Sequence, residues 1–166
     1  MKGRTSTMKI TLNDLMLAES ALLKLFFVDS DRKDGQQWTP RSGKTIGATM
    51  RIGRLAKICL EEMQNFHTHR TNLWRKYGTA EMVPQKDPEG EEMKDEKGET
   101  IMVESGKYNI PKENVENYIK EEADLLDTAI EIPDGFKIKQ NDLDGIDLNW
   151  RDLEILREHF LELEDE

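Results

Sequence analysis

Few residues in this chain are spaced to do chemistry, and in each case the spacing is incomplete. Ser42-Gly43-Lys44-Thr45 has the ending of a phosphate-binding loop, in which backbone amides cradle phosphates while the lysine and hydroxyl reach phosphate and metal. The full pattern requires a glycine where Trp38 stands and a strand before it, yet the preceding stretch is polar and carries Pro40. The segment therefore reads as the lead-in to a helix. Asp29, Asp31, Asp34 and Gly35 suggest a calcium loop, but the glycine is one place late, Lys33 occupies the fifth position and Pro40 replaces the closing glutamate. A solvated turn is expected there. His67 and His69 are two residues apart, so on a helix they diverge and cannot share a metal as an i, i+4 pair would. Cys59 falls on another turn and His159 is distant. There is no nucleophile elbow and no Cys/His signature, so neither a cofactor, nor a metal, nor an enzymatic role is expected.

Two charges interrupt otherwise apolar helical faces. Arg70 falls inside the apolar arc of a long helix, and Glu122 lies at the centre of the arc of a second one. If these helices run antiparallel with Tyr77 level with Val115, Arg70 comes level with Glu122. An unpaired buried ion costs several kcal/mol, so a structural Arg70–Glu122 ion pair is expected. Arg41, Lys44, Arg51 and Arg54, with Trp38 nearby, form the best basic cluster. It reads as a solvated helix face or a contact for an acidic partner.

Charge is distributed unevenly along the chain. Residues 1–77 carry 14 Lys/Arg against 7 Asp/Glu, whereas residues 78–166 carry 10 against 27, within a net charge of −10. Such asymmetry means either a basic patch with an acidic tail or two oppositely charged segments folded against each other. The acidic balance argues against sequence-independent nucleic-acid binding, which draws most of its affinity from phosphate attraction. The richest apolar run, Leu22–Val28, is broken by Lys24 and is far short of the roughly 20 residues that span a bilayer, so no membrane role is expected. A single cysteine and no recognisable leader suggest a reducing compartment. A chain of 166 residues, 36% apolar, suggests one domain.

The elements that must hold these residues follow from periodicity. After a lead-in containing Met8 as an alternative start, Asn13 reads as the N-cap of a helix from Asp14 to Val28, stapled by Leu12 and Leu17. Leu15, Ala18, Leu22, Leu25 and Phe26 share one face, and Met16, Leu23 and Phe27 share another. A helix apolar on several sides is buried on several sides, so the second face is a candidate interface. A polar loop covers 29–43. From Ser42 to Tyr77 a sustained period predicts a long amphipathic helix ending at Gly78. Asp87-Pro88-Glu89-Gly90 and Asp95-Glu96-Lys97-Gly98 are turn signals, so 79–110 reads as an acidic β-hairpin or mobile arm. A second helix is expected from Pro111 to Ile130, a short strand at Phe136–Ile138, a terminal helix opened by Leu148-Asn149-Trp150-Arg151-Asp152-Leu153, and an acidic tail over 162–166. No internal repeat is apparent.

At Arg70-x-x-Leu73-x-x-Lys76-Tyr77-Gly78, the acidic insertion, Tyr108, Glu122-x-x-Leu125-Leu126 and Leu143-x-x-Ile146-Asp147-Leu148, the chain resembles small uncharacterised proteins of tailed bacteriophages over about residues 45–160. The resemblance implies a phage setting, in host cytoplasm or virion, and transfers no catalytic residue. The expected fold is mainly α (α+β): a long antiparallel helical hairpin with a small β-hairpin at its tip and flanking N- and C-terminal helices. The expected function is non-enzymatic, a virion structural or assembly component that self-associates or binds a protein partner. The alternative is a small acidic inhibitor of a host enzyme or anti-phage defence complex. A nucleotide-binding enzyme rests only on the degenerate Gly-Lys-Thr.

Overall fold

The computed structural model describes residues 7–28 and 39–162. The calcium-loop reading at Asp29, Asp31, Asp34 and Gly35, Trp38, and most of the acidic tail lie outside the described residues. The fold is an α+β mixture, about 53% helical and 22% strand, with two small antiparallel sheets. Two compact units divide the chain. One comprises the segments up to Phe66 and from Leu125 onward, and the other runs from His67 to Asp124.

The first unit contains the hydrophobic core. Strand β1 (Thr7–Thr11) leads into α1 (Leu12–Leu17) and α2 (Glu19–Phe26), followed by the start of α3 (Ile46–Tyr77). The cap of α1 is Thr11 rather than Asn13: its hydroxyl accepts from the Asp14 amide, and Asp14 accepts from the Thr11 amide at 2.9 Å. The choice has a physical reason. Three residues beyond Thr11 stands a carboxylate that can reciprocate, whereas three beyond Asn13 stands Met16, which cannot. The single helix expected over 14–28 is broken at Ala18, where φ is −87° and ψ is −5°. No sequence signal marks that break.

Along α3, Ala48, Ile52, Leu55, Cys59, Met63 and Phe66 are buried at helical spacing. The helix starts at Ile46 because Thr45 caps it, its hydroxyl accepting from the Ala48 amide at 3.1 Å. Gly43 is required by a close approach, since a Cβ there would lie 2.5 Å from that of Ala48. Burial pushes the Cys59 thiol up to about 12, leaving it protonated and inert.

The helix expected to continue to Ile130 ends earlier. After Leu126 the chain enters β4 (Ala129–Pro133), which pairs antiparallel with β1 in the register Met8↔Ile132 and Ile10↔Ile130. Both strands alternate apolar with polar residues, and Ile10, Ile130 and Ile132 are buried. Two 3-10 turns (Asp134–Phe136 and Gln140–Leu143) follow, then α5 (Trp150–His159). Asn149 caps α5 reciprocally with Asp152. The strand expected at Phe136–Ile138 is reduced to a parallel bridge between Ile138 and Leu161.

The second unit is built differently. Every buried hydrophobic side chain among the described residues belongs to the first unit, and α4 (Lys112–Leu126) buries none. Strands β2 (Thr79–Pro84) and β3 (Met102–Asn109) pair antiparallel, Val83 opposite Val103. Between them lie two hairpins of identical geometry. In the first, Asp87 O accepts from Gly90 N, Asp87 Oδ1 accepts from the Glu89 and Glu91 amides, and Gly90 adopts φ +91°. In the second, Asp95, Gly98, Lys97 and Glu99 repeat the pattern, with Gly98 at φ +83°. Glycine is needed at both positions because the left-handed bulge after a type I turn disfavours a side chain. The segments Lys86–Met93 and Lys94–Ile101 thus form an eight-residue internal repeat, with Lys, Asp, Gly and Glu recurring in the same places.

The repeat closes on itself. Met93 N donates to Gln85 O, Ile101 N to Met93 O, and Gln85 N to Ile101 O, all at 2.8–2.9 Å. Three hairpins therefore meet at a ring of three backbone hydrogen bonds.

The core accounts for the first prediction. Phe160 is fully buried and Leu153 is not. Phe160→Ala should cost about 3 to 5 kcal/mol, and Leu153→Ala less than about 1 kcal/mol. Urea unfolding followed by circular dichroism measures both, and equal losses would show that this core is wrongly placed.

Candidate interaction sites

The two buried charged residues of the described chain, Asp142 and Asp152, each accept the backbone amide three residues before them, and at Asp152 the Asn149 side chain reciprocates to complete a capping box. Asp142 accepts the Lys139 amide at 2.9 Å and takes Arg51 in a two-pronged bond, with Nε and Nη2 each at 2.7 Å. Burial pushes the Asp142 carboxyl up, but the Arg51 bond and the Lys139 amide together outweigh it and hold the group below its ordinary value. Asp152 accepts the Asn149 amide and Lys24 Nζ at 2.8 Å. Each carboxylate thus seats a helical turn and anchors a cation from the basic half.

The basic cluster separates accordingly. Arg41 donates to the carbonyls of Lys24 and Phe27, closing the chain back onto α2. Lys44 pairs with Asp144 at 3.3 Å on the surface, and Arg51 is committed to Asp142. Arg54 is exposed and lies over the Phe136 ring, its guanidinium carbon 6.0 Å from the centroid. Arg51 and Arg54 nevertheless share a concavity of about 390 Å³ with Met50, Lys137, Lys139 and Glu162. The alternation of Lys137, Ile138 and Lys139 puts both lysines into this concavity while Ile138 is buried.

The apolar face expected from Met16, Leu23 and Phe27 is not a free stripe. Met16 and Phe27 pack partly buried against the core, Leu23 is half-buried, and Phe27 bridges to Pro40. The buried face runs on through the break at Ala18, with Leu15, Ala18, Leu22, Leu25 and Phe26 all in the core, and Leu17, at 66% exposure, is the outward residue. Sequence reading also passed over Trp150, which is 75% exposed beside Leu153, Leu161 and Arg157 in a second concavity.

In the second unit Arg70 and Glu122 come together: Arg70 Nε donates to Glu122 Oε1 at 2.9 Å. The pair belongs to a larger network. Tyr118 OH donates to the same Glu122 oxygen at 2.7 Å and accepts from Trp74 Nε1 at 2.8 Å. Arg70 lies over the Trp74 ring at 5.0 Å, and Trp74 stacks on Tyr108. Tyr108 and Arg75 both donate to Glu104. Lys76 and Tyr77 converge on Glu121, each at 2.6 Å, and Asn114 Nδ2 donates to Tyr77 O. Rows of polar and aromatic contacts occupy the place a hydrophobic core would normally take. Gly78 fits because a Cβ there would come within 3.0 Å of the Asn109 and Trp74 carbonyl oxygens.

Exposed around this network are Met82, Met93, Met102, Val103, Val115 and Ile119. The hairpins beside them carry Glu89, Glu91, Glu92, Glu96 and Glu99 outward. Both histidines of the 67/69 pair are exposed, and the described residues hold no group of three metal-ligating side chains. No protein-family model matches the chain, and comparison with curated proteins and with solved structures found no match.

Two predictions follow the geometry. Because folding lowers the Asp142 pKa, its pairing stabilises the protein fully above the ordinary carboxylate value of about 4 and is lost as pH falls through the lower folded value. Asp142→Asn should therefore be less stable than wild type by about 2 kcal/mol at pH 7, with the gap closing on acidification below about pH 4. Denaturant titrations at pH 7, 5 and 3 measure it, and a gap constant across that range would reject the pairing. The second concerns Arg70, whose side chain is 40% exposed against 21% for Glu122. The partial exposure of both reduces the cost of stranding the carboxylate below that of a buried ion. Arg70→Ala should cost about 1 to 2 kcal/mol. A double-mutant cycle with Glu122→Ala checks this, and a coupling near zero would assign the register to Trp74 and Tyr118 alone.

Proposed function

We propose that this is a non-enzymatic protein-interaction protein, a bacteriophage virion or assembly component, whose second unit is the docking part. The observation that carries the reading is that the unit from His67 to Asp124 buries no hydrophobic side chain while exposing Met82, Met93, Met102, Val103, Val115 and Ile119. Small folded units gain most of their stability by burying apolar surface, and a unit that leaves its own exposed gains it by burying that surface against another protein. Methionine suits such a surface because its flexible side chain adapts to a partner. The proposal includes the finer architecture: the last turns of α3 run antiparallel to α4 as a helical hairpin, with β2, β3 and the twin hairpins carried between them.

The residues that sequence offered for chemistry have structural occupations that support this reading. Thr45 caps α3, Lys44 pairs with Asp144, Cys59 is a buried protonated thiol and Arg70 is held by Glu122. The acidic-inhibitor reading is supported by a different feature, the outward carboxylates on the two stiff hairpins, which would suit a basic nucleic-acid channel.

Affinity capture of the tagged protein from cells undergoing infection tests the proposal. Wild type should retain a virion structural protein at near-stoichiometric yield, and Met102→Lys combined with Ile119→Lys should lose it while keeping its helical circular dichroism. Retention of a host nuclease, polymerase or defence protein would select the inhibitor instead. Retention unaffected by the double substitution would remove the second unit from the interface.

A further inference from the structure

We infer that the basic concavity of the first unit is a receptor for the acidic Lys86–Glu92 hairpin of a second copy of this chain, so that copies associate head to tail. The inference rests on the protein-interaction reading above and names its partner and surfaces.

Complementarity is present on both sides. The concavity presents Arg54, Lys137 and Lys139 around Met50, which is 49% exposed, and Lys139 is engaged by the half-exposed Glu162 at 3.9 Å at its edge. Arg51 forms its floor, already fixed by the two-pronged bond to Asp142. At about 390 Å³ it accommodates a few side chains rather than a folded segment. The hairpin offers side chains of that kind. Asp87 is consumed by its own turn, holding the Glu89 and Glu91 amides, so the turn is stiff and its glutamates face outward. Met93 follows directly, 39% exposed. Each surface therefore combines a methionine with a predominance of one charge, cations in the concavity and carboxylates on the hairpin turn, although Glu162 and Lys86 stand as single opposite charges within them. The Lys94–Thr100 hairpin is the weaker ligand because Lys97 stands at its turn beside Glu96.

Contact between two different patches is heterologous, so it propagates into a ring or filament unless one patch is removed. Exposed ion pairs contribute modestly and are screened by salt, which makes the association weak and dependent on ionic strength.

The test is reciprocal complementation with the full chain, read by sedimentation velocity at low and high sodium chloride. Wild type should form concentration-dependent oligomers at low salt that dissociate at high salt. Arg54→Glu with Lys137→Glu disables the receptor, and Glu89→Lys with Glu91→Lys disables the hairpin. Each variant alone should weaken association by about tenfold or more. An equimolar mixture of the two should form a dimer and nothing larger, since it retains one intact receptor and one intact hairpin. Should the receptor variant lose its circular dichroism, Arg54→Glu alone replaces it, as that side chain is exposed. A wild type that stays monomeric at low salt, variants that associate as wild type does, or a mixture that remains monomeric would each overturn the inference. If any of these occurs while partner capture in infected cells persists, the protein-interaction reading survives; loss of both removes it too.

Discussion

The carboxylate of Asp142 has to be satisfied inside the protein, and much of the first unit is organised by the way this is done. A buried carboxylate without partners would cost several kcal/mol. Here one oxygen serves a backbone amide and Arg51, while the other takes the second prong of the same guanidinium. Arg51 is thereby fixed relative to the 3-10 turn at Gln140–Leu143, which sets how the start of α3 meets the chain after β4. Lys24 and Asp152 repeat the device between α2 and α5. The same logic extends outward in weaker form. Lys9, Lys44, Arg70, Arg75 and Lys76 each pair with a carboxylate beyond residue 78. The charge reversal along the sequence is thus resolved as two oppositely charged segments paired with each other in both units. Exposed pairs add little energy individually, so register is decided mainly by the two buried ones.

What was legible in the sequence depended on how local its cause was. The apolar arc of α3 follows from helical spacing and the cap at Asn149 from the acid three residues on, and the structure has both; the Arg70–Glu122 pair, 52 residues apart, needed an assumed antiparallel alignment as well. The strands β1 and β4 were missed because each is five residues long and is stabilised by a partner more than a hundred residues away, so neither stands out in a local window. The break at Ala18 has no residue signature, and helical spacing alone could not show that the face of Met16, Leu23 and Phe27 would be half covered. The basic cluster was legible as charge but not as geometry: periodicity could not show that Arg41 binds carbonyls, that Arg51 is consumed by Asp142, or that Lys137 and Lys139 join Arg54.

The contrast between the units bears on how each responds to solution conditions. The first is held mainly by burial of apolar side chains, which charge screening by salt does not weaken. The second is held by hydrogen bonds, aromatic stacking and partly exposed ion pairs among Arg70, Trp74, Tyr108, Tyr118 and Glu122, interactions that water and ions contest. A polar network also specifies geometry more strictly than an apolar one, because every donor must meet an acceptor. The surface surrounding it is consequently presented in a defined shape even without a core beneath.

The ring formed by Gln85, Met93 and Ile101 bears on which changes of chain length the β2–β3 pairing can absorb. Each octad leaves the ring at one member and returns at the next, so its removal brings two members face to face. Two such residues exchanging both hydrogen bonds are an ordinary antiparallel pair, and β2 and β3 would then be joined by a single hairpin. Loss of an octad therefore preserves the register of the flanking strands, whereas a one-residue slip of that register would reverse which side chains face each way. A hairpin is thus a unit of eight residues that can be shed here without rebuilding the strands that carry it.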